Sequence, residues 1–222
     1  MSITVNEIFY SIQGEGARSG RPCLFIRLTG CPVRCVYCDT AYAFHEGRSM
    51  EIEEIITEVM STLGLPSSSP NGPFIEVTGG EPLAQHSTLL LLTALTNLGY
   101  EVVLETAGSH DIKFVPLSVV KIVDRKTPDS GAERHWLDSN LEFLIRGQDE
   151  LKFVICSRDD YFWAKNWCED RDVFTNLNVI FSPAWGRLDN IWLAERIIQD
   201  RVPVKFQIQL HKIIWDPDKR GV

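Results

Sequence analysis

The chain has 222 residues, of which 44% are hydrophobic and 23% charged, and it carries a net charge of −8. A chain of this length buries most of its apolar surface without disulfide staples, and its acidic balance argues against a nucleic-acid partner and against a polybasic membrane patch. The longest apolar run, near Leu89–Leu98, is broken by Thr93, Thr96 and Asn97 and falls short of the roughly 18 apolar residues of a membrane span. Met1–Ile12 lacks the basic start and long apolar core of a secretory signal, so a cytoplasmic protein is expected. In that reducing setting the six cysteines are not a disulfide framework. Cys23, Cys156 and Cys168 stand apart and read as buried small hydrophobes.

Taken in chain order, Gln13-Gly14-Glu15-Gly16 is a polar, flexible loop, able to fold over a site and to hydrogen-bond a flat heterocycle. Strands are predicted at Cys23–Thr29, Phe74–Thr78, Glu101–Glu105, Val119–Val123, Leu151–Cys156, Leu177–Phe181 and Val204–Ile208. Met50–Leu63, Ser87–Leu98, Asp159–Glu169 and Leu188–Asp200 carry apolar residues at helical spacing. Strand and helix taking turns imply an α/β fold, a parallel sheet with outer helices. A closed eightfold barrel needs about 250 residues, so a partial (β/α) barrel is expected, formed by residues 1–222 as one domain. The connection Pro66–Pro73 is a surface segment within it.

In such barrels chemistry sits at the C-terminal ends of the strands. There the sequence places Gly30-Cys31-Pro32-Val33-Arg34-Cys35-Val36-Tyr37-Cys38-Asp39-Thr40, then Thr78-Gly79-Gly80-Glu81-Pro82, then Glu105-Thr106-Ala107-Gly108. Three thiolates at positions 31, 35 and 38 point to a metal centre. A four-iron, four-sulfur cluster held by three cysteines keeps one iron open to a small-molecule ligand. A zinc knuckle with His45 or Cys23 as fourth ligand is the alternative, although structural zinc sites usually pair two CxxC-like halves and no second half exists here. Gly79-Gly80 lets backbone approach a ligand closely, and Glu81 offers a carboxylate to an ammonium group.

Cys-x3-Cys-x-aromatic-Cys followed by Gly-Gly-Glu-Pro resembles the radical S-adenosylmethionine superfamily. Ser11-Ile12-Gln13-Gly14-Glu15-Gly16, Phe25-Ile26-Arg27-Leu28 and Cys38-Asp39-Thr40 narrow the resemblance to the 7-carboxy-7-deazaguanine synthases. The resemblance implies a partial barrel of the radical SAM type, a homodimer, and conversion of 6-carboxy-5,6,7,8-tetrahydropterin to 7-carboxy-7-deazaguanine with loss of ammonia, feeding queuosine-type pathways. It implies a [4Fe-4S] cluster on Cys31, Cys35 and Cys38, S-adenosylmethionine, and Mg2+ at Thr40, whose hydroxyl otherwise caps the following segment. An electron donor such as flavodoxin or ferredoxin follows from the same chemistry.

By that resemblance the substrate meets Ile12, Gln13, Gly14, Arg27, Thr78 and His211, with Arg27 pairing with its carboxylate. S-adenosylmethionine meets Tyr37, Cys38, Asp39, Gly79, Gly80, Glu81, Glu105, Asp124, Arg125, Lys126, Ser182, Pro183, Ala184 and Trp185. The family's Ser-Pro-Lys is here Asp124-Arg125-Lys126, which keeps only the lysine, and its Gln-Pro form is here Ser182-Pro183. Trp215–Val222 extends beyond several relatives, which leaves a role for the terminal carboxylate open. The alternatives are a radical SAM activating enzyme acting on a partner protein, and a zinc-binding interaction module.

Overall fold

Nine strands share one sheet in the computed structural model, which describes residues 1–222. They are β1 (Ser2–Ile12), β2 (Pro22–Leu28), β3 (Arg48–Glu51), β4 (Phe74–Gly79), β5 (Val102–Thr106), β6 (Val120–Asp124), β7 (Glu150–Ile155), β8 (Asn178–Pro183) and β9 (Lys205–Phe206). Their spatial order is β3-β1-β2-β4-β5-β6-β7-β8-β9. Every pairing from β2 to β9 is parallel, while β1 runs antiparallel to both β2 and β3. Since β3 and β9 do not pair, the barrel is open, as its length predicts.

Helices α1 (Ile52–Leu63), α2 (Thr88–Asn97), α3 (Arg158–Asp170) and α5 (Asn190–Asp200) match the four predicted helical stretches; two single-turn helices, α4 (Val173–Asn176) and α6 (His211–Ile214), complete the set. The predicted helix at Met50–Leu63 starts later. Residues 48–51 extend as β3, and α1 begins where the side chains of Glu51 and Glu54 form a reciprocal capping box. The links from β5 to β6 and from β6 to β7 hold no α-helix. Asn140 spans that region instead, donating to the carbonyls of Gly108 and His110 and accepting from the Ile112 amide.

Period-2 alternation sorts the strands into two cores. Ile75, Val77, Leu104, Val123, Leu151 and Phe153 face the helices in a cluster of 35 buried residues. The opposite faces contribute a second cluster of six, Cys23, Phe25, Phe74, Val103, Val120 and Ile122, which fills the lower barrel. Cys23, Cys156 and Cys168 are all buried, as expected of small hydrophobes. Toward the C-terminal ends the same inward positions become Arg27, Thr78, Glu105, Asp124 and Lys152. The interior thus changes from apolar to charged along each strand. No helix is long and apolar enough to cross a membrane.

Candidate active site

A cavity of about 400 Å³ opens at this charged end. Gly30 turns the chain out of β2 with φ +91°, a conformation that suits a residue without Cβ. Its amide donates to the Ala43 carbonyl (2.8 Å), and the Val36 amide donates to the Ser130 carbonyl (3.0 Å), fixing the cysteine loop at both sides. Cys31, Cys35 and Cys38 all line the cavity. Burial raises the pKa of the Cys31 and Cys35 thiols, that of Cys35 to about 11. Without a metal they stay protonated, whereas a bound metal holds them as thiolates.

The donor set fits an iron–sulfur cluster better than a single ion. No three His, Cys, Asp or Glu side chains converge on one point. Of the two fourth ligands that the zinc alternative requires, Cys23 lies in the lower barrel core and His45 is exposed. Two buried polar atoms in the lining, the Tyr37 hydroxyl and Asp124 Oδ1, have no partner. Lys126 lies over the Tyr37 ring, 5.3 Å from its centroid, and pairs with Asp124 at 2.7 Å. Unsatisfied polar atoms beside a cation suit a polar, charged cofactor such as S-adenosylmethionine.

Gly79 and Gly80 answer first to packing. A Cβ at Gly79 would stand 2.2 Å from the Leu28 carbonyl oxygen, and one at Gly80 the same distance from that of Gly30. The bare backbone lets the end of β4 lie against the cysteine loop, where Gly80 and Glu81 donate to the carbonyls of Leu28 and Gly30.

The Gln13–Gly16 segment, expected as a flexible loop folding over a site, is a largely buried strap held by the barrel strands. Gln13 donates from Nε2 to Glu76 and accepts at Oε1 from the Glu15 amide. Glu15 receives Lys152 at 2.9 Å and the amides of Gln207 and Gln209. The next residue, Gly16, donates to Gln207, and Ala17 donates to Glu150. The strap therefore ties β4 to β7, to β9 through Lys205, and to the segment that follows β9. Lys152 holds Glu15 well below its ordinary pKa, at about 2, against the opposing effect of burial.

Arg27 Nε donates to Glu7 Oε1 (2.8 Å), which also accepts from the Tyr42 hydroxyl. Its two terminal nitrogens make no bond within the protein, and the residue lines the cavity. His211 sits so close that a Cβ at Gly14 would lie 2.4 Å from Nδ1. Burial lowers the His211 pKa below its usual value, so a neutral imidazole faces the cavity.

The radical SAM superfamily model matches residues 25–117. A 7-carboxy-7-deazaguanine synthase from Chlorobaculum tepidum is 42% identical across 99% of this chain and 97% of its own length. One from Koribacter versatilis is 38% identical over 98% and 99%. The chain belongs to the 7-carboxy-7-deazaguanine synthase family. Among solved structures, QueE from Escherichia coli superposes with a TM-score of 0.76 at 24% identity, covering 95% of each chain, which shows the shared fold.

Most residues that the sequence singles out for a 7-carboxy-7-deazaguanine synthase meet in this one cavity. Ile12, Gln13, Gly14, Arg27, Thr78 and His211 line it, as do Tyr37, Cys38, Asp39, Thr40, Gly79, Gly80, Glu105, Asp124, Lys126, Ala184 and Trp185. Four residues lie outside the lining. Glu81 is fully buried, its carboxylate taken up by Leu83 N, Thr106 Oγ1, Ala107 N and Ser109 Oγ. Arg125 points outward among Trp136, Trp163 and Trp167. Ser182 and Pro183 are buried at the end of β8. Thr40 makes no side-chain cap to the turn that follows it.

Sequence reasoning missed Glu7, Glu76 and Lys152, the last two of which line the cavity; Glu15 and the tail Pro217–Val222, whose role the sequence leaves open, line it too. Arg220 anchors the tail, 3.7 Å above the Tyr42 ring and 2.9 Å from Glu46. A signal existed for Glu76 and Lys152: each is a charge set among apolar neighbours, in Phe74-Ile75-Glu76-Val77 and Leu151-Lys152-Phe153-Val154.

Proposed function

We propose that this chain converts 6-carboxy-5,6,7,8-tetrahydropterin to 7-carboxy-7-deazaguanine with loss of ammonia, and that residues 1–222 act as one radical SAM domain. The observation that carries the reading is the Arg27 fork, open to a ligand carboxylate inside the cavity that the three cluster cysteines line. Cys31, Cys35 and Cys38 hold the [4Fe-4S] cluster, with S-adenosylmethionine beside Tyr37, Asp124, Lys126 and the Gly79-Gly80 backbone. When bound, this pair supplies the carbon radical that removes a hydrogen atom from C6 of the pterin.

The protein's own work is placement. Arg27 receives the carboxylate in two parallel hydrogen bonds, the strap fixes the floor, and His211, neutral and seated on Gly14, can take up or give a proton near the ring. Thr78 donates within the same cavity, at 3.4 Å from Glu105. Thr40 offers its hydroxyl to Mg2+, a hard cation that prefers oxygen ligands. The enzyme works in the cytoplasm as a homodimer and takes its electron from a small reductant protein such as flavodoxin or ferredoxin.

The test is oxygen-free reconstitution with iron and sulfide, followed by incubation with S-adenosylmethionine, reductant, Mg2+ and the pterin. Product with the mass of 7-carboxy-7-deazaguanine is expected. Unchanged pterin from a fully loaded cluster would contradict the reading.

A further inference from the structure

Lys152 is a buried cation in the barrel interior, flanked along β7 by the apolar residues Leu151, Phe153 and Val154. Its ammonium group pairs with Glu15 (2.9 Å), Glu105, and Asp124 (3.7 Å), and its side chain is 5% exposed. Those partners come from the strap, β5 and β6. An ammonium group taken from water costs several kcal/mol unless fully paired, so its placement needs a reason beyond packing.

The partners differ in what they have left to offer. An ionised carboxylate has about four acceptor positions. Glu15 already receives Lys152, Gln207 and Gln209. Glu105 receives Lys152 at Oε1 and only a long contact from Thr78, 3.4 Å, at Oε2. Glu105 also lines the cavity, and nothing else donates to it. Arg27 marks the anion-binding part of the cavity; Glu105 is an acceptor with room for N–H donors.

We infer that Lys152 is a positioning residue that locks Glu105 as a carboxylate acceptor for the amino-pyrimidinone edge of the substrate. This rests on the proposed pterin chemistry and assigns Glu105 to the substrate rather than to S-adenosylmethionine. Lys152 acts through Glu105 and is not itself a ligand. Other charges that face this group are Glu76 from β4 and Lys126 beyond Asp124, and burial together with the Glu105 charge raises the Glu76 pKa well above the ordinary carboxylate range. Two ionised carboxylates there would repel without the shared cation.

The experiment uses cluster-loaded enzyme with two substrates, the 6-carboxytetrahydropterin and its 2-oxo counterpart, in which a carbonyl replaces the exocyclic amine. Wild type should prefer the amine by at least about 100-fold in kcat/KM, as sites built around a hydrogen-bonded donor do. K152Q should raise the pterin KM at least tenfold, leave the KM for S-adenosylmethionine within threefold, and bring the amine preference below tenfold; K152R should restore most of it. Should K152Q fail to fold, E105Q reports the same preference. A K152Q or E105Q enzyme that keeps the wild-type KM and preference overturns the inference, as does K152R failing equally on both substrates. Wild type that turns over neither substrate overturns the pterin reading and this inference together.

Discussion

Arg27 and Glu7 form an ion pair that uses only one edge of the guanidinium: Nε donates to Glu7 Oε1 at 2.8 Å, and the two terminal nitrogens stay free. Glu7 sits on β1, the antiparallel partner of β2, and Tyr42 donates to the same carboxylate oxygen. The fork is thereby oriented by protein before any ligand arrives, which reduces the ordering cost of binding.

Replacing Arg27 by Lys keeps the charge and removes the fork. A hydrogen bond to a charged group contributes about 1.5–3 kcal/mol, so R27K should raise the pterin KM by about 10- to 150-fold while the S-adenosylmethionine KM stays near wild type. Steady-state kinetics with each substrate varied separately checks this. Equal loss for both would argue against a carboxylate partner at Arg27.

Gly14→Ala tests the seat of His211. The added methyl would stand 2.4 Å from His211 Nδ1 and 3.0 Å from its backbone nitrogen, so the ring must leave its place. Turnover should fall at least tenfold with the far-ultraviolet circular dichroism unchanged. An active G14A enzyme would show that the position of His211 is immaterial.

Glu76 makes a stability prediction with a definite sign. Burial, reinforced by the Glu105 charge, raises its folded-state pKa well above 4.5, so the folded state binds the proton more tightly than the unfolded chain. Stability from this group is intact below about 4.5 and is lost as pH rises through the folded value. Glu76→Gln keeps an acceptor for Gln13 and removes the titration. Urea unfolding of both proteins from pH 5 to 9 should show E76Q gaining on wild type as pH rises. A constant difference would mean that Glu76 does not titrate in this range.

Phe74 tests the lower barrel core. It is fully buried and lies beneath the guanidinium of Arg21, 4.9 Å from its ring centroid. Phe74→Ala should cost about 3–5 kcal/mol, read as a lower urea midpoint with little change in slope. A smaller loss would mean that the cavity collapses around the deletion.

Much of this architecture was legible in the chain because each parallel strand is an apolar run closed by an unusual motif. Cys23–Thr29 predicted β2 and located the cysteine loop that follows it. The paired strands at the start escaped notice, since Thr4, Asn6, Glu7 and Ser11 dilute the apolar signal of β1 and its stability comes from pairing with β2 and β3. Gln13–Gly16 reads as a flexible loop able to fold over a site, because a polar, glycine-rich stretch carries no local signal of burial. Its burial depends on Glu76, Lys152 and Gln207, which are 63 to 191 residues away in the chain and invisible to any local window. Arg125 enters the S-adenosylmethionine set only by its place in the family's Ser-Pro-Lys pattern, and strand alternation turns its side chain to the opposite face, among the tryptophans.

The central claim is that the cysteine loop and the Arg27 fork serve one reaction in one cavity. The measurement that addresses it most directly is turnover of 6-carboxytetrahydropterin carrying deuterium at C6, with the 5′-deoxyadenosine and the product analysed by mass. The account predicts one deuterium in the 5′-deoxyadenosine and a product with the mass of 7-carboxy-7-deazaguanine. Deoxyadenosine free of deuterium, formed while the pterin is returned unchanged, would contradict it.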